Sequence, residues 1–122
     1  MPAQSDALRD RLSRYREIHI TVTGRKSGRS ISIPVWFVVE DHDVYLLPVQ
    51  GSDAQWYRNV LHNPQLEIDA RGAKGEFQAV TITDATQVSS VVEKFRKKYG
   101  AQDVKKYYSK FDVAVLVRME RW

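Results

Sequence analysis

Two runs of alternating apolar and polar residues, joined by a short basic turn, constrain the fold of this chain most strongly. In Glu17–Thr23 apolar side chains occupy every second position, and the alternation resumes in Ser30–Glu40. A two-residue period is typical of a strand with one buried face. Between the runs, Gly24 and Gly28 permit a tight turn with positive φ. The pattern predicts a β-hairpin whose tip carries the cations Arg25, Lys26 and Arg29.

The second run contains a proline, which restricts its place in a sheet. Pro34 has no N–H to donate to a neighbouring strand, so this part of the run is expected at a sheet edge or a bulge. The side chains of the run are expected to divide between two faces, with Trp36 on the outer one. The inward face would carry Ile31, Ile33, Val35, Phe37 and Val39.

The same periodicities predict four further strands and several helices. The strands are predicted over residues 44–49, 65–71, 76–83 and 111–119. The helices are predicted over 54–62 (capped by Ser52 or Asp53), 85–99 (capped by Asp84) and 102–108, with an N-terminal helix capped by Ser5 or Asp6 and ending at Arg16. We therefore expect an α+β or mostly β fold, a six-stranded, mostly antiparallel barrel with three or four flanking helices, because closure hides sheet edges.

Length and composition set the number of domains and exclude several kinds of site. A chain of 122 residues with 43% hydrophobic and 28% charged residues is typical of one globular domain, here residues 1–122. The absence of cysteine excludes disulfides and thiolate chemistry. No apolar run approaches the length of a membrane span, and the first residues do not resemble a signal peptide. We expect a cytoplasmic protein with no membrane partner.

Familiar phosphate-binding and metal-binding patterns do not occur in the sequence. No Gly-x-Gly-x-x-Gly opens a helix, and neither Gly24 nor Gly28 belongs to a P-loop. The Gly-x-x-Gly of residues 72–75 lies between predicted strands, where a KH domain requires helices. The three histidines are scattered, with no carboxylate at ligand spacing, so no metal site is expected.

Three stretches remain that suit a ligand, each with a plain alternative. The basic turn offers backbone N–H groups, a hydroxyl and cations to a phosphate or carboxylate, unless it is only a solvated turn. The start of the helix at 54–62 offers N–H groups and the flat rings of Trp56 and Tyr57, which core packing would equally explain. The tract 94–110 interleaves seven cations with three tyrosines, and we interpret it as a solvated helix face rather than a nucleic-acid site.

The turn and the aromatic helix together resemble the split-barrel family of deazaflavin-dependent oxidoreductases, also described as F420H2-dependent quinone reductases or nitroreductases. The resemblance rests on Thr23-Gly24-Arg25-Lys26-Ser27-Gly28, on Pro34, on Trp56-Tyr57 with Asn59, and on Asn63-Pro64. It spans about residues 18–71. The two halves of the pattern are specific only as a pair, since either half alone is a weak signal.

This resemblance implies a barrel related to the FMN-binding pyridoxamine-phosphate-oxidase fold. It also implies an F420-dependent oxidoreductase, a flavoprotein-like enzyme that passes a hydride to a quinone, nitroaromatic or similar acceptor. By that likeness the cofactor phosphate would be held by Arg25, Lys26, Ser27 and Gly28. The ring would lie along Pro34, Val35 and Trp36, the loop Pro48, Val49, Gln50, Gly51 and Ser52, and the rings of Trp56 and Tyr57. No catalytic side chain is expected, because the cofactor carries the chemistry.

The resemblance leaves both the cofactor and the activity open. Relatives often carry Arg and Lys where this chain has Ile31 and Gln50, so FMN stands beside F420 as the cofactor. A cofactor-binding module without catalysis is the second hypothesis, and a basic nucleic-acid-binding module is a remote third. The expected partners are a small-molecule acceptor and a second copy of the chain in a homodimer, with no nucleic acid.

Overall fold

The computed structural model describes Leu8 and residues 10–119, which form a β-barrel with helices packed on it. The strands are β1 (Glu17–Thr23), β2 (Ser30–Glu40), β3 (Asp43–Leu46), β4 (Gln65–Ala70), β5 (Ala73–Ile82) and β6 (Ala114–Arg118). The helices are α1 (Gln55–His62), α2 (Ala85–Tyr99) and α3 (Ala101–Tyr107), and residues 10–14 are also helical. None of the helices described is both long and apolar enough to cross a membrane.

The strands close on themselves in the order β1-β2-β3-β6-β5-β4, and every neighbouring pair is antiparallel. The predicted α+β fold, a six-stranded barrel with flanking helices, is confirmed. Closure gives each strand two neighbours over at least part of its length, which removes the long edges of an open sheet. The last strand, β6, enters between β3 and β5 after the helices, so it is central as predicted.

The two longest strands each belong to both halves of the barrel. Residues 30–36 of β2 pair with β1, and residues 37–40 pair with β3. In β5, residues 73–78 pair with β4 and residues 79–82 pair with β6. The first half of β2 therefore has β1 as its only strand partner among the described residues. Pro34 lies in this half, at the edge position predicted for a residue without an N–H.

The buried apolar residues form two cores. The core inside the barrel contains Phe37, and Tyr57 of α1 packs against it from one end. The second core lies outside the barrel, where Val38 of β2 packs against Phe95 and Tyr99 of α2. The buried face predicted for α2 from its periodicity is confirmed, and it consists of Val88, Val91, Val92, Phe95 and Tyr99.

The predicted N-cap is right for α2 and wrong for α1, although α1 ends at His62 as predicted. Asp84 accepts the N–H of Gln87 at 3.0 Å and caps α2, and Gly100 ends it with a φ of 96°. At the start of α1 the cap position is Ala54, with no side-chain hydrogen bond. Ser52 instead lies in a preceding 3₁₀ turn, Gly51–Asp53, and its N–H is taken by a distant carboxylate. The N-terminal caps predicted at Ser5 and Asp6 lie outside the described residues.

The bounds of four strands and one strand face differ from the prediction, and the smallest difference is in β4, which ends at Ala70. β3 and β6 are shorter than predicted, and β5 starts at Ala73, inside the predicted turn, because Arg71 and Gly72 alone make that turn with φ values of 56° and 95°. Ile31, predicted to face inward, is 39% exposed because its half of β2 has an open side. Val38, on the outer face, is buried because α2 covers it.

Candidate functional site

A cavity of about 670 Å³ lies along the open half of β2. Strand β2 contributes Pro34, Val35 and Trp36 to its lining, and the chain after β3 contributes Val49 and Gln50. The helices supply much of the remainder, chiefly Trp56 and Asn59 from α1 and Tyr107 and Tyr108 at the end of α3. This volume lies within the range of small-molecule and cofactor sites.

Four aromatic side chains line the cavity, and the ring of Trp36 is held by a stacking contact. Its ring stacks on Tyr99 of the second core, with centroids 4.2 Å apart and planes 8° apart. Tyr107 meets Trp36 edge-on at 5.6 Å, and Tyr108 lies 6.0 Å away. The fourth aromatic side chain, Trp56, comes from α1. Aromatic surfaces with few polar groups suit a flat, largely apolar ring.

The basic turn adjoins the cavity through Arg25. The guanidinium of Arg25 donates to Oδ1 of Asn59 at 2.8 Å and to Oε1 of Gln55 at 2.8 Å, and both acceptors belong to residues that line the cavity. Arg25 therefore ties the hairpin to α1. Lys26 and Arg29 are exposed and form no ion pair within the described residues, so their charges are available to an anion.

Backbone hydrogen bonds give the turn a compact shape. The Gly28 N–H donates to the carbonyl of Gly24 at 2.8 Å, and the Gly24 N–H donates to the carbonyl of Arg29 at 2.8 Å. Gly28 has a φ of 72°, as predicted, whereas the positive φ predicted for Gly24 is wrong. At Gly24 the reason for glycine is close approach, because a Cβ would lie 2.8 Å from Ser27 Oγ. The Ser27 hydroxyl accepts the N–H of Arg29 at 3.2 Å.

The loop at 48–52 is held in place by the chain that follows α3. The Val49 carbonyl accepts the N–H of Ser109 at 2.9 Å. Asp112 accepts the N–H of Ser52 at 2.9 Å and also the Ser52 hydroxyl. Although burial raises the pKa of Asp112, these hydrogen bonds outweigh it and hold that pKa below its ordinary value. A charged carboxylate thus fixes one wall of the cavity.

A second cavity, of about 760 Å³, lies at the far end of β2. Lys94 and Glu40 in its lining form an ion pair at 2.9 Å. Lys98 donates to the carbonyl of Phe37 at 2.7 Å, and burial together with the charge of Arg16 lowers the pKa of Lys98 to about 8. Five of its ten lining residues are charged and none is phenylalanine, tyrosine or tryptophan, so this cavity suits a flat ligand less well than the first.

The structure brings together six of the residues predicted for the site, and these line the first cavity: Pro34, Val35, Trp36, Val49, Gln50 and Trp56. Arg25 reaches the lining through its hydrogen bonds, while Lys26, Ser27 and Gly28 lie in the adjoining turn. Pro48 and Gly51 are buried behind the lining loop. Tyr57 is 2% exposed and packs in the barrel core, away from the cavity.

Nine lining residues were not among the predicted ones: Glu17, Ile31, Ile33, Leu47, Ala54, Gln55, Asn59, Tyr107 and Tyr108. Asn59 follows Trp56 by three residues, so the two share one face of α1, and that spacing is the signal that could have found it. The tyrosines belong to the tract interpreted as a solvated helix face. Tyr108 is in fact 6% exposed, and burial raises the pKa of its hydroxyl. In the part of the chain described, no three histidine or carboxylate side chains gather as metal ligands.

Solved structures share this barrel at low sequence identity. An F420-H2 dependent reductase matches with a TM-score of 0.66 and 18% identity over 84% of this chain and 94% of its own. A putative pyridoxamine 5′-phosphate oxidase from Listeria innocua matches with a TM-score of 0.69 and 12% identity over 96% and 94%. A chain described as a domain-swapped dimer matches with a TM-score of 0.67 and 18% identity over 97% and 100%. The fold class is therefore shared with reductase and oxidase barrels.

Within that class, the sequence places the chain in one family. Residues 9–118 match the family described as uncharacterized protein conserved in bacteria (DUF2255), and the chain belongs to it. No curated protein matches the sequence. The family description assigns no activity, so the function rests on the site.

Proposed function

We propose that this chain binds F420, or alternatively FMN, in the 670 Å³ cavity and serves as an oxidoreductase for a quinone, nitroaromatic or similar small acceptor. The observation that carries the proposal is the cavity itself, in which aromatic side chains of three elements lie beside a turn whose cations form no ion pair with the described residues. The similarity of the fold to an F420-H2 dependent reductase and to a putative pyridoxamine 5′-phosphate oxidase supports it.

The aromatic part of the lining fits the ring of such a cofactor. Trp36 cannot turn freely, because Tyr99 stacks against it at 4.2 Å. Val35, Val49 and Trp56 add apolar surface. The amides of Gln50, Gln55 and Asn59 supply polar groups. A site of this composition binds a flat ring by apolar contact and orients it by a small number of hydrogen bonds.

The basic turn fits the phosphate of the same cofactor. Lys26 and Arg29 are exposed cations and the exposed Ser27 adds a hydroxyl, although the N–H groups of Gly28 and Arg29 already donate within the turn. Arg25 contributes less than the resemblance implies, because Asn59 and Gln55 already take two of its N–H groups. The phosphate contact therefore rests chiefly on the two exposed cations.

The chemistry of the reaction belongs to the cofactor, which when bound supplies the hydride. The chain's own residues bind the ring, orient it and keep water away from one side of it. None of the lining residues is a histidine, and the one carboxylate, Glu17, is exposed. We therefore assign no acid or base to the protein.

Titration of the purified protein with F420 and with FMN, followed by fluorescence, tests the proposal. We expect saturable micromolar binding of at least one of them. Trp56→Leu should weaken it by about tenfold or more, because a ring-stacking surface is lost. Phe77→Leu is the matched control, an aromatic residue of β5 outside the cavity lining. Absence of binding to both cofactors would refute the proposal, and binding without turnover of quinones or nitroaromatics would reduce it to a cofactor-binding module.

We also propose that the chain forms a homodimer. Ile31, Val49 and Tyr107 are 39%, 46% and 52% exposed, and all three line the mouth of the cavity. Exposed apolar groups collected at one place favour a protein partner, and a barrel of the same fold is described as a domain-swapped dimer. Sedimentation should give the mass of two chains, and Val49→Glu should shift the protein towards the monomer. A monomer at all concentrations would exclude the dimer.

A further inference from the structure

Asn59 is the one polar residue within the buried set of described residues. It is 4% exposed, and it lies on the face of α1 that lines the cavity. Every other lining residue that is buried to this degree is apolar or aromatic. A polar group in such a place is costly to bury unless each of its donors and acceptors finds a partner.

The orientation of the Asn59 amide is fixed by Arg25. The backbone N–H of Arg25 donates to Oδ1 of Asn59 at 3.1 Å, and the guanidinium donates to the same oxygen at 2.8 Å. Because two donors of Arg25 need an acceptor, a flipped amide would set N–H groups against N–H groups. The oxygen therefore faces Arg25, and the NH₂ group must face away from it.

That NH₂ group has no hydrogen-bond partner within the described residues, since both bonds of the side chain end on Oδ1. All fully enclosed side-chain nitrogen and oxygen atoms in this part of the chain do have partners. Nδ2 therefore keeps some accessible surface, and the space beside Asn59 is the cavity that it lines. The cavity thus offers a hydrogen-bond donor that is held in one orientation.

We propose that Asn59 selects flat ligands that carry a ring carbonyl or a similar acceptor oxygen, and that Arg25 is the positioning residue that keeps the donor turned to the cavity. This inference deepens the proposed function, on which it rests for the place of the ring. It also gives Arg25 a different role from phosphate binding. If Asn59 served only to fasten the hairpin to α1, its unpaired NH₂ group would have no consequence for ligand choice.

The test compares two probes of similar size in ligand-detected NMR titrations: menadione, which carries two ring carbonyls, and dimethylnaphthalene, which carries none. Asn59→Asp keeps the shape of the side chain and an oxygen for Arg25 but removes the donor. We expect this substitution to weaken the binding of menadione by about tenfold and to leave the binding of dimethylnaphthalene nearly unchanged. Asn63→Asp, the same change at the end of α1 and outside the cavity lining, is the matched control.

Arg25→Met tests the positioning role, because only the backbone N–H then holds the amide. We expect it to reduce the preference for menadione without weakening dimethylnaphthalene, whereas simple loss of structure would weaken both probes. A wild-type preference that survives in Asn59→Asp, or no preference in the wild type, overturns the inference. Failure to bind F420 and FMN, with an Asn59-dependent preference for menadione, would instead refute the proposed function and leave the inference standing.

Discussion

At the scale of single residues, Tyr99 connects the two cores and the start of the barrel. Its hydroxyl accepts the N–H of Phe37 at 3.0 Å and lies 2.6 Å from the carbonyl of Arg16. The N–H of Phe37 and the carbonyl of Arg16 lie just beyond the β1–β2 ladder, because β1 begins at Glu17 and Glu17 pairs with Trp36. Tyr99 therefore bonds to these two backbone groups where the ladder ends. Burial raises the pKa of Tyr99 to about 12, so the hydroxyl stays protonated and can act as donor and acceptor.

Tyr99→Phe should therefore destabilise the protein. The change leaves the buried N–H of Phe37 without an acceptor, and an unsatisfied buried group costs about 1–3 kcal/mol. Urea unfolding followed by circular dichroism measures the loss. Tyr107→Phe is the control, since Tyr107 is 52% exposed and its hydroxyl makes no hydrogen bond in the described chain. Equal stability of the two variants would contradict this role.

Lys98 gives the stability a predicted pH dependence. Burial, then the charge of Arg16, lowers its pKa from 10.5 to about 8 in the folded chain. Between these values the unfolded chain binds more protons at this group, so Lys98 should make the free energy of unfolding rise with pH from about pH 8 to about pH 10.5. Above about pH 10 the raised pKa of Tyr99 acts in the opposite direction. The group is only partly buried, so solvent screening keeps the rise small.

Lys98→Met should abolish this rise, and Lys97→Met, at an exposed neighbouring lysine, should retain it. Urea unfolding at several pH values in that window measures the slope. The same slope in both variants would show that another group titrates.

Residue-level predictions succeeded where cause and effect lie close together in the chain. The positive φ of Gly28 and the Asp84 cap each depend on neighbours within a few positions. The partner of Arg25 is different, because Asn59 lies 34 residues away. The sequence of the turn suggests an anion-binding site, but it cannot show that α1 already accepts hydrogen bonds from two N–H groups of the Arg25 guanidinium. Tyr57 shows the same limit, since its spacing equally fits the core in which it lies.

At the scale of elements, the loop at 48–52 depends on a contact that no local pattern encodes. Asp112 lies 60 residues from Ser52, and its carboxylate takes both the N–H and the hydroxyl of that residue. The predicted cap of α1 was wrong for this reason, because Ser52 was already engaged. Strand β3 ends at Leu46, and the chain then turns towards the segment at 109–112 instead of continuing the ladder.

Asp112→Ala should release this loop. We expect faster hydrogen exchange in residues 49–53, measured by mass spectrometry, while peptides of β1 and β4 keep their protection. Ligand affinity should fall as well, because Val49 and Gln50 line the cavity. Asp103→Ala, at an exposed acidic residue of α3, is the matched control. Unchanged exchange at 49–53 would mean that the Ser109 contact alone is sufficient to hold the loop.

At the scale of the whole molecule, the barrel could be predicted from the sequence, but the points at which β2 and β5 change strand partners could not. Alternation along β2 and β5 marks them as strands but is the same in both halves, so it cannot show where each changes partner. That change opens one side of β2 at residues 30–36 and so creates the wall of the cavity. The burial of Val38 in the second core was missed for a related reason, because an apolar residue on the outer face of a strand is buried only where a helix covers it.

If FMN binds as proposed, the net charge of +4 and the placement of the basic turn should make that binding dependent on salt. FMN and riboflavin differ only in the phosphate, so a comparison of the two isolates the contribution of the turn. Raising salt from about 0.05 M to about 0.5 M should weaken FMN severalfold, because screening shortens the reach of exposed charges, and should hardly affect riboflavin.

The variant that carries Lys26→Ala and Arg29→Ala should bind FMN and riboflavin alike and lose the salt effect. Lys74→Ala, an exposed cation at the β4–β5 turn, should behave as the wild type. Binding of FMN that is equally salt-dependent in the double variant would place the phosphate elsewhere, next to the cations of α3 or the chain that follows it. Salt-independent binding of FMN in the wild type would mean that the aromatic lining alone holds the cofactor and that the turn is only solvated.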